Sequence, residues 1–402
     1  MRSSRRTAGS VVLTGAVARR PGRGGHAWAF LQYVLGFRRL GWDVLWLDSI
    51  DQVPTGRHSP EVNEFDRFCA LGGIEEHASL LVGASGPGPA AAQTVRGLAR
   101  QDVIDRVREA DLFINVMGYL RDEEILAAAT RRVFLDIDPG FGQMWEDLGL
   151  ARMFVGHDAY ATVGERIGAS DCLIPTLGLD WIPTPPPVVL DAFVPVPGDG
   201  FGWTSICTWR GPFDPIEHRG RQYGLRAHQF RRFVPLPALT GEPFRLALDI
   251  DDTDRPDRDR LVGAGWELVD PRASAGDPVA YREFIQGSSG ELMVAKGLYV
   301  ETSSGWFSDR SVCYLAAGRP VVAQDTGWSD RYPGDEGLLR FTSLEEAAAA
   351  IAEVQSDPRR HRQAARAVAA EHFDSDRVLA RLADRATAVS DVSASCPVEG
   401  AA

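Results

Sequence analysis

The segment Glu301–Gly327, ETSSGWFSDRSVCYLAAGRPVVAQDTG, contains residue types that can bind an anion. A loop rich in serine and glycine leads into a helix predicted to begin near Ser308–Ser311, and a Gly-Arg-Pro turn then leads into the predicted strand Val321–Gln324. The first backbone N–H groups of a helix have no partner inside it, and the helix dipole favours negative charge there. The segment therefore predicts a phosphate site at the start of this helix.

Six polar side chains surround this predicted site: Ser308, Asp309, Arg310, Ser311, Gln324 and Asp325. Hydroxyl and guanidinium groups can bind phosphate oxygens, while the acidic and amide groups can hold sugar hydroxyls. Together they indicate a site for a nucleotide sugar. The same residue types also cap helices and stabilise turns, so a structural role for each stays open.

Two cations at predicted strand boundaries could neutralise a diphosphate. Arg210 follows the predicted strand 205–209, where Gly211 lets the backbone approach a ligand and a guanidinium can bind two phosphate oxygens. Lys296 precedes the predicted strand Leu298–Val300. Each could instead lie on the surface with its charged end in water.

The first half of the chain supplies two candidate bases. His26 ends a glycine-rich loop that contains Gly24 and Gly25, and an imidazole can accept a proton near neutral pH. Asp138 lies just past another predicted strand and is the rival base. Gly24, Gly25 and Glu165 are predicted to face the acceptor, the molecule whose hydroxyl would receive the sugar. Either candidate base could instead be structural, and the sequence leaves the choice open.

The pattern of elements places these residues at strand ends. Short apolar runs alternate with helical segments in both halves, which is typical of parallel sheets covered on both faces. We predict an α/β fold of two Rossmann-like, doubly wound domains that face each other across a cleft. The first domain is expected at 1–190, with a proline-rich linker at 181–200. The second domain at 191–388 and a disordered tail at 389–402 follow.

The predicted strands are short apolar runs. Those of the first half are 11–18, 41–48, Leu112–Val116, Val133–Ile137, Phe154–Gly156 and Leu173–Pro175. Those of the second half are 205–209, 244–250, Trp266–Val269, Leu298–Val300, Val321–Gln324 and Leu338–Phe341. Helices at about 344–355 and 358–371 are expected to close the second domain, and 375–387 to cross back onto the first.

The composition of the chain argues against several classes of binding partner. The net charge of −12 argues against a nucleic-acid partner, whose binding would depend on basic side chains. The five cysteines are odd in number and lack CxxC spacing, so the sequence indicates neither zinc nor a disulfide framework and favours a reducing cytoplasm. No run of 18 apolar residues predicts a transmembrane segment, which leaves peripheral membrane contact open.

The turn from Ala316 to Val322, AAGRPVV, resembles the "A-x-G-x-P-V-V" turn of the donor site in GT-B glycosyltransferases. The chain is similar to bacterial enzymes of the family-1 or family-4 type over roughly 8–388, with specific motifs at about 200–330 and in the 20–30 loop. The resemblance implies a hexosyltransferase that transfers a sugar from a nucleoside-diphosphate sugar to a small-molecule, glycan or lipid hydroxyl. It implies an acceptor-side domain at 1–190 and a nucleotide-sugar domain at 191–388. It also implies that neither a metal ion nor a further cofactor takes part.

One departure from the family limits this inference. Many retaining family-4 enzymes carry two glutamates eight residues apart in this segment, and Gly305 and Cys313 stand at those positions. The stereochemical outcome, the donor base and sugar, and the acceptor are therefore not predicted. A catalytically silent binding protein of the same fold and a nucleotide-sugar epimerase remain alternatives. A phosphorylase is disfavoured because that class is much longer and carries a pyridoxal-phosphate lysine.

Overall fold

The computed structural model describes residues 8–56, 58–83 and 92–388. The tail at 389–402, predicted to be disordered, lies outside the described residues. The remaining chain forms two mostly parallel sheets, each covered by helices, and so confirms the predicted α/β class. The domain boundary near residue 190 stays a prediction.

The first half of the chain forms an eight-stranded sheet. Its strands are β1 (Ser10–Gly15), β2 (Asp43–Ile50), β3 (Ala78–Val82), β4 (Gln93–Gly97), β5 (Leu112–Val116), β6 (Arg132–Asp136), β7 (Ala159–Thr162) and β8 (Trp181–Pro183). Their spatial order is β4-β3-β2-β1-β5-β6-β7-β8, and β4 is antiparallel to β3. The order reverses direction between β1 and β5, where open α/β sheets bind ligands.

The second half forms a six-stranded parallel sheet and a small hairpin. The sheet strands are β9 (Phe201–Thr208), β12 (Phe244–Asp249), β13 (Trp266–Val269), β14 (Ser288–Met293), β15 (Val321–Gln324) and β16 (Leu338–Phe341). Their order is β13-β12-β9-β14-β15-β16, which reverses direction between β9 and β14. The hairpin pairs β10 (Ile216–His218) with β11 (Arg221–Tyr223).

Fifteen α-helices are found in the described ranges, together with short 3₁₀ turns and a π-helical turn at Ala369–Phe373. Those of the first half are α1 (Gly24–Arg39), α2 (Pro60–Gly72), α3 (Arg100–Glu109), α4 (Glu123–Ala128) and α5 (Phe141–Asp147). Those of the second are α6 (Arg226–Phe230), α7 (Leu236–Thr240), α8 (Arg255–Gly263), α9 (Pro271–Ala275), α10 (Pro278–Gln286), α11 (Gly297–Glu301), α12 (Asp309–Ala316), α13 (Leu344–Ser356), α14 (Pro358–Val368) and α15 (Ser375–Ala388). In the part of the chain so described, no helix is long and apolar enough to cross a membrane.

Helix α15 returns to the first half, as the sequence predicts. The Arg39 guanidinium of α1 donates to the Asp376 carboxylate at 3.0 Å. At Gly36 an added Cβ would lie 2.4 Å from the Leu379 side chain, so the small residue lets the two helices touch. The C-terminal helix thus holds the two halves together through close packing and an ion pair.

Three of the predicted strands are wrong. Phe154–Gly156 is a loop, in which the Phe154 ring packs edge-on against Phe134 of β6 with the ring centroids 4.8 Å apart. Leu173–Pro175 is also a loop, and the Leu173 side chain is 43% exposed. Leu298–Val300 belongs to helix α11. Apolar runs of three or four residues do not distinguish a strand from a packed loop or a helical turn.

Among the strands that were not predicted are β7, β8 and β14. Strand β14 has the sequence SSGELM and lies in the core. Its buried polar residues Ser288 and Glu291 interrupt the apolar run that would predict a strand. Strand β8 lies inside the predicted proline-rich linker, where Pro183 is tolerated because the strand is at the sheet edge. The carboxyl ends of both sheets nevertheless meet at one cleft.

Candidate functional site

A cavity of about 670 Å³ lies between the two sheets, and we call it the cleft cavity. One wall is the glycine-rich loop from Arg20 to His26. The other consists of the ends of β9, β12 and β13, namely Ile206–Thr208, Leu248–Ile250 and Leu268–Arg272. The cavity therefore lies where both sheets reverse strand order, the usual position of a ligand in doubly wound folds.

The predicted acceptor-side residues Gly24 and Gly25 line this cavity and bring the two halves into contact. A Cβ at Gly24 would lie 2.2 Å from the Asp277 carbonyl oxygen, and one at Gly25 would lie 2.8 Å from the Tyr281 ring. Nearby, the Trp28 indole donates to the Pro278 carbonyl at 2.7 Å. The absence of side chains on these glycines permits the close approach of α1 to α10.

We expect Gly24→Ala to destabilise the protein by about 1–3 kcal/mol, because the methyl group forces α1 away from the backbone of Asp277. Thermal unfolding followed by circular dichroism would measure the loss. Gly56→Ala is the matched control, since an added Cβ there meets nothing within 4 Å. Equal stability of both variants would show that the close approach does not contribute.

The predicted base Asp138 and the predicted donor cation Lys296 bind each other across the cleft. The Lys296 ammonium donates to both Asp138 oxygens at 2.8 Å, and the Tyr299 hydroxyl donates to the same carboxylate. Burial and Asp138 hold the pKa of Tyr299 well above its usual value, so the hydroxyl keeps its proton. Tyr299 is held in turn by stacking on Trp306, with ring centroids 4.3 Å apart.

A cation that the sequence analysis missed, Arg226, lies near this pair. Its guanidinium donates to the Val294 carbonyl at 3.1 Å and the Thr208 carbonyl at 3.2 Å. No carboxylate pairs with it among residues 8–56, 58–83 and 92–388, so its positive charge is uncompensated by direct contact. The sequence contained a signal for a functional role of Arg226. A positive charge at the first position of a helix is unfavourable next to the helix dipole, so an arginine there suggests a role other than helix stability.

The predicted phosphate ligand Arg310 is instead buried beneath the cleft cavity. Its Nε donates to Glu291 at 2.5 Å, and a second nitrogen donates to the Ile206 carbonyl at 2.6 Å. Although burial alone lowers the pKa of Arg310, the charge of Glu291 raises it above its usual value. Arg310 therefore supports the end of β9 from below rather than lining the cavity.

The other residues at the start of α12 differ in role. The Ser308 hydroxyl accepts the Arg310 backbone N–H at 3.2 Å and is a helix cap. The Ser311 hydroxyl is fully buried without a hydrogen-bond partner in the described structure. The Asp309 side chain is exposed and does not line the cleft cavity; it lines a separate small cavity of about 30 Å³ beside Gln32 of α1. The predicted ligand role of Asp309 stays a prediction.

The candidate base His26 lines the cleft cavity, but its ring is anchored. Its Nε2 lies 3.0 Å from the Ala16 carbonyl oxygen, and the ring packs edge-on against Phe30. Burial lowers the pKa of His26 to about 4, and the charges of Arg20 and Arg23 add to this effect. The imidazole is neutral at pH 7 and is a weak base.

Three predicted donor ligands are engaged elsewhere. The Arg210 guanidinium makes two 2.6 Å hydrogen bonds to Asp254, outside the residues that line the cleft cavity. The buried Gln324 amide accepts the Ala295 N–H at 3.1 Å and donates to Gln229 at 2.9 Å. Asp325 accepts hydrogen bonds within the turn that follows β15. In this arrangement each of the three side chains has a protein partner, and their predicted ligand roles stay predictions.

The surroundings of Gly305 and Cys313 explain why glutamate does not occupy these two positions. Gly305 has a φ of +73°, and a Cβ there would lie 2.7 Å from the Arg166 backbone nitrogen. Cys313 is buried against α1, where its sulfur accepts the Gln32 amide at 3.5 Å. Neither position can present a carboxylate to the cleft without rearrangement of its surroundings. The stereochemical outcome therefore stays unpredicted.

A second cavity, of about 330 Å³, adjoins the cleft cavity on the side of the first sheet, and we call it the aromatic cavity. Arg20 lines both cavities. The walls include the aromatic rings of Tyr119, Phe141, Trp145 and Phe213, with Asp138 and Arg121 as charged groups. The Phe213 ring comes from the loop after β9 and lies 4.8 Å from the Trp145 ring, so the second half covers this cavity.

Glu165, predicted to face the acceptor, lines neither of these cavities. It is buried at the end of β7, where its carboxylate accepts the Tyr332 hydroxyl. No group of three or more histidine, cysteine or acidic side chains within the described ranges is arranged to hold a metal ion.

Two doubly wound domains whose strand ends share one cleft define the GT-B fold. Residues 245–385 match the protein family described as glycosyl transferase-like. A search of curated proteins found no match to the sequence.

Solved structures show the same fold. An α-glucosyltransferase in complex with UDP-glucose and DNA containing an abasic site is 11% identical, with a TM-score of 0.57, over 94% of this chain and 98% of that one. Anabaena HepE in complex with UDP and glucose is 13% identical, with a TM-score of 0.52, over 94% and 99% of the chains. Sucrose-phosphate synthase from Thermosynechococcus elongatus is 12% identical, with a TM-score of 0.51, over 95% and 100%. These matches confirm the predicted fold, and the family match over 245–385 supports the resemblance to glycosyltransferases in that segment.

Proposed function

We propose that this protein is a hexosyltransferase that moves a sugar from a uridine-diphosphate sugar to an acceptor hydroxyl. The observation that carries the proposal is the cleft cavity, whose walls combine the strand ends of one sheet with the glycine-rich loop of the other. The solved relatives that contain UDP or UDP-glucose have the same fold, which supports uridine as the donor base.

The cations around the cavity would stabilise the diphosphate. Arg20 and Arg272 line it, and neither guanidinium has a hydrogen-bond or ion-pair partner within the described structure. Neither Arg226 nor Lys296 lines the cavity: Arg226 donates to the carbonyl of Thr208 in the cavity wall, and Lys296 has a third N–H beyond the two that Asp138 accepts. Fixed positive charge of this kind stabilises a departing diphosphate, so the proposed mechanism needs no metal ion.

The acceptor would occupy the aromatic cavity, and Asp138 would remove the proton from its hydroxyl. Asp138 lines this cavity, whereas His26 does not. Aromatic walls suit a sugar ring or another flat apolar group, while Arg20 and Arg121 suit an acidic substituent. A small molecule, a glycan or a lipid remains possible as the acceptor.

Nucleic acid is a poorer acceptor for this chain. The related α-glucosyltransferase is solved with DNA, so the fold is compatible with a nucleic-acid acceptor. The net charge of −12 opposes binding to a phosphate backbone. A cytoplasmic location also remains part of the proposal.

Release of UDP from a panel of UDP-sugars tests the activity. We expect at least one donor to yield free UDP in the presence of a glycan or phenolic acceptor. Tight donor binding without any release would instead support the silent binding protein, and sugar interconversion without release would support the epimerase.

We expect Arg226→Gln to weaken UDP binding by about 10–100-fold, because a charge-assisted hydrogen bond to phosphate contributes about 1.5–3 kcal/mol. Isothermal titration calorimetry with UDP would measure the change. Arg260→Gln is the control, since it removes the same charge from the exposed surface of α8. Equal affinities of the two variants would remove Arg226 from the donor site.

A further inference from the structure

A third concavity, of about 350 Å³, lies where α15 meets the segment that follows β7. Four arginines line it, and we call it the arginine pocket: Arg331, Arg377, Arg381 and Arg385. It shares no lining residue with the cleft cavity or the aromatic cavity. A ligand there would be separate from the proposed donor and acceptor.

Three of these arginines follow one another at a spacing of four residues along α15. Like charges at this spacing face each other on a helix and destabilise it by about 0.2–0.5 kcal/mol per pair. All three are exposed, and no carboxylate forms an ion pair with Arg377, Arg381 or Arg385 in the described part of the chain. Elsewhere on the same helix, Asp376 does pair with Arg39.

Neither Glu165 nor Glu371 forms an ion pair with these arginines in the described part of the chain. Glu165 is buried and its carboxylate accepts the Tyr332 hydroxyl; burial raises the pKa of its carboxyl, while the charges of Arg331 and Arg381 oppose that shift. Glu371 lies 4.0 Å from the neighbouring His372. Arg331 contacts the Glu165 backbone oxygen at 3.4 Å rather than its carboxylate. Four guanidinium groups thus face one concave surface with little direct compensation.

We propose that the arginine pocket binds the phosphate group of a phosphorylated small molecule or of a phospholipid headgroup. Guanidinium groups pair with phosphate oxygens through two parallel hydrogen bonds, and several converging guanidiniums favour a multiply charged anion. The chain as a whole is acidic, with a net charge of −12, so this local excess of positive charge is not a general property of the surface.

A bound phosphate would connect segments from both halves of the chain. One wall is Ile182–Pro185, which comprises the end of β8 in the first sheet and the two residues after it. A second contains Arg331 and Tyr332, which lie between β15 and β16 of the second sheet, and α15 completes the pocket. The ligand would therefore favour the present arrangement of the two halves by binding all three segments.

Titration of pyrophosphate by calorimetry tests this site. We expect Arg377→Ala/Arg381→Ala to weaken binding at least tenfold. The control Arg260→Ala/Arg359→Ala, which removes two exposed arginines outside the pocket, should leave the affinity within twofold. Because pyrophosphate could also enter the cleft, each titration is repeated with Arg226→Gln, which should retain the arginine-pocket affinity.

A second arm uses sedimentation with vesicles of phosphatidylglycerol and phosphatidylcholine, compared with phosphatidylcholine alone. Loss of either pyrophosphate or anionic-vesicle binding in the arginine-pocket variant supports the site and identifies the source of the phosphate. The proposal is overturned if neither probe binds, or if the variant binds as well as the wild type. Loss of binding with Arg226→Gln alone would likewise assign the anion to the cleft and overturn it. None of these readouts depends on sugar transfer.

Discussion

Glu291→Ala should destabilise the protein by about 3–5 kcal/mol, the effect expected when one partner of a buried ion pair is removed. The Glu291 side chain is fully buried, and Arg310 is 8% exposed. Without Glu291, the Arg310 guanidinium would remain desolvated with only the Ile206 carbonyl as a partner. Urea unfolding followed by tryptophan fluorescence would measure the change in the free energy of unfolding.

Two further variants test whether the loss of stability comes from the unpaired buried charge. Glu353→Ala breaks an exposed ion pair with Arg360 and should cost no more than about 1 kcal/mol. The double variant Glu291→Leu/Arg310→Met removes both buried charges and should be more stable than Glu291→Ala. If Glu291→Ala and Glu353→Ala were equally stable, the buried pair would not be a major support of the second half of the chain.

Asp138→Asn should lower kcat for sugar transfer by about 10²–10⁴-fold, the range expected for loss of a general base. An amide has the shape of the carboxylate but cannot accept the acceptor proton or balance the Lys296 charge. Because Asp138 lines the aromatic cavity and not the cleft cavity, the affinity for UDP should change far less than kcat. Steady-state UDP release and UDP calorimetry separate the two quantities.

His26→Gln is the decisive comparison, since the sequence alone offers both residues as bases. Glutamine can keep a hydrogen bond to the Ala16 carbonyl, the contact that the histidine makes. The pKa of about 4 makes the imidazole a weak proton acceptor at pH 7, so kcat should fall by less than about tenfold. A larger loss in His26→Gln than in Asp138→Asn would reverse the assignment.

The order of elements could be predicted because it depends on local periodicity. Strands such as Leu112–Val116 and Val321–Gln324 have the bounds that were predicted, since continuous apolar runs between turns are typical of buried parallel strands. Strand β14 was missed because Ser288 and Glu291 become acceptable in a core only when other elements supply their partners.

Side-chain direction was harder to predict than position along the chain. Arg210, Gln324 and Asp325 do follow or end strands, but each is already hydrogen-bonded to protein groups. The partners of Arg210 and Gln324 lie far away in sequence, so spacing did not reveal them, whereas those of Asp325 lie in the turn that directly follows it. Lys296 and Asp138 were predicted separately and meet only through the packing of the two halves.

The sequence by itself determined two Rossmann-like halves, a glycine-rich loop and a helix start near Ser308, because strand and helix periodicity and glycine chemistry act locally. The tertiary structure decided which charges are free and which are paired. It buried Arg310 against Glu291 and joined Lys296 to Asp138, and it left Arg226 without a carboxylate partner among the residues that the structure describes. Charge pairing depends on distance in space and on burial, and residues 138 and 296 become neighbours only after both sheets have folded.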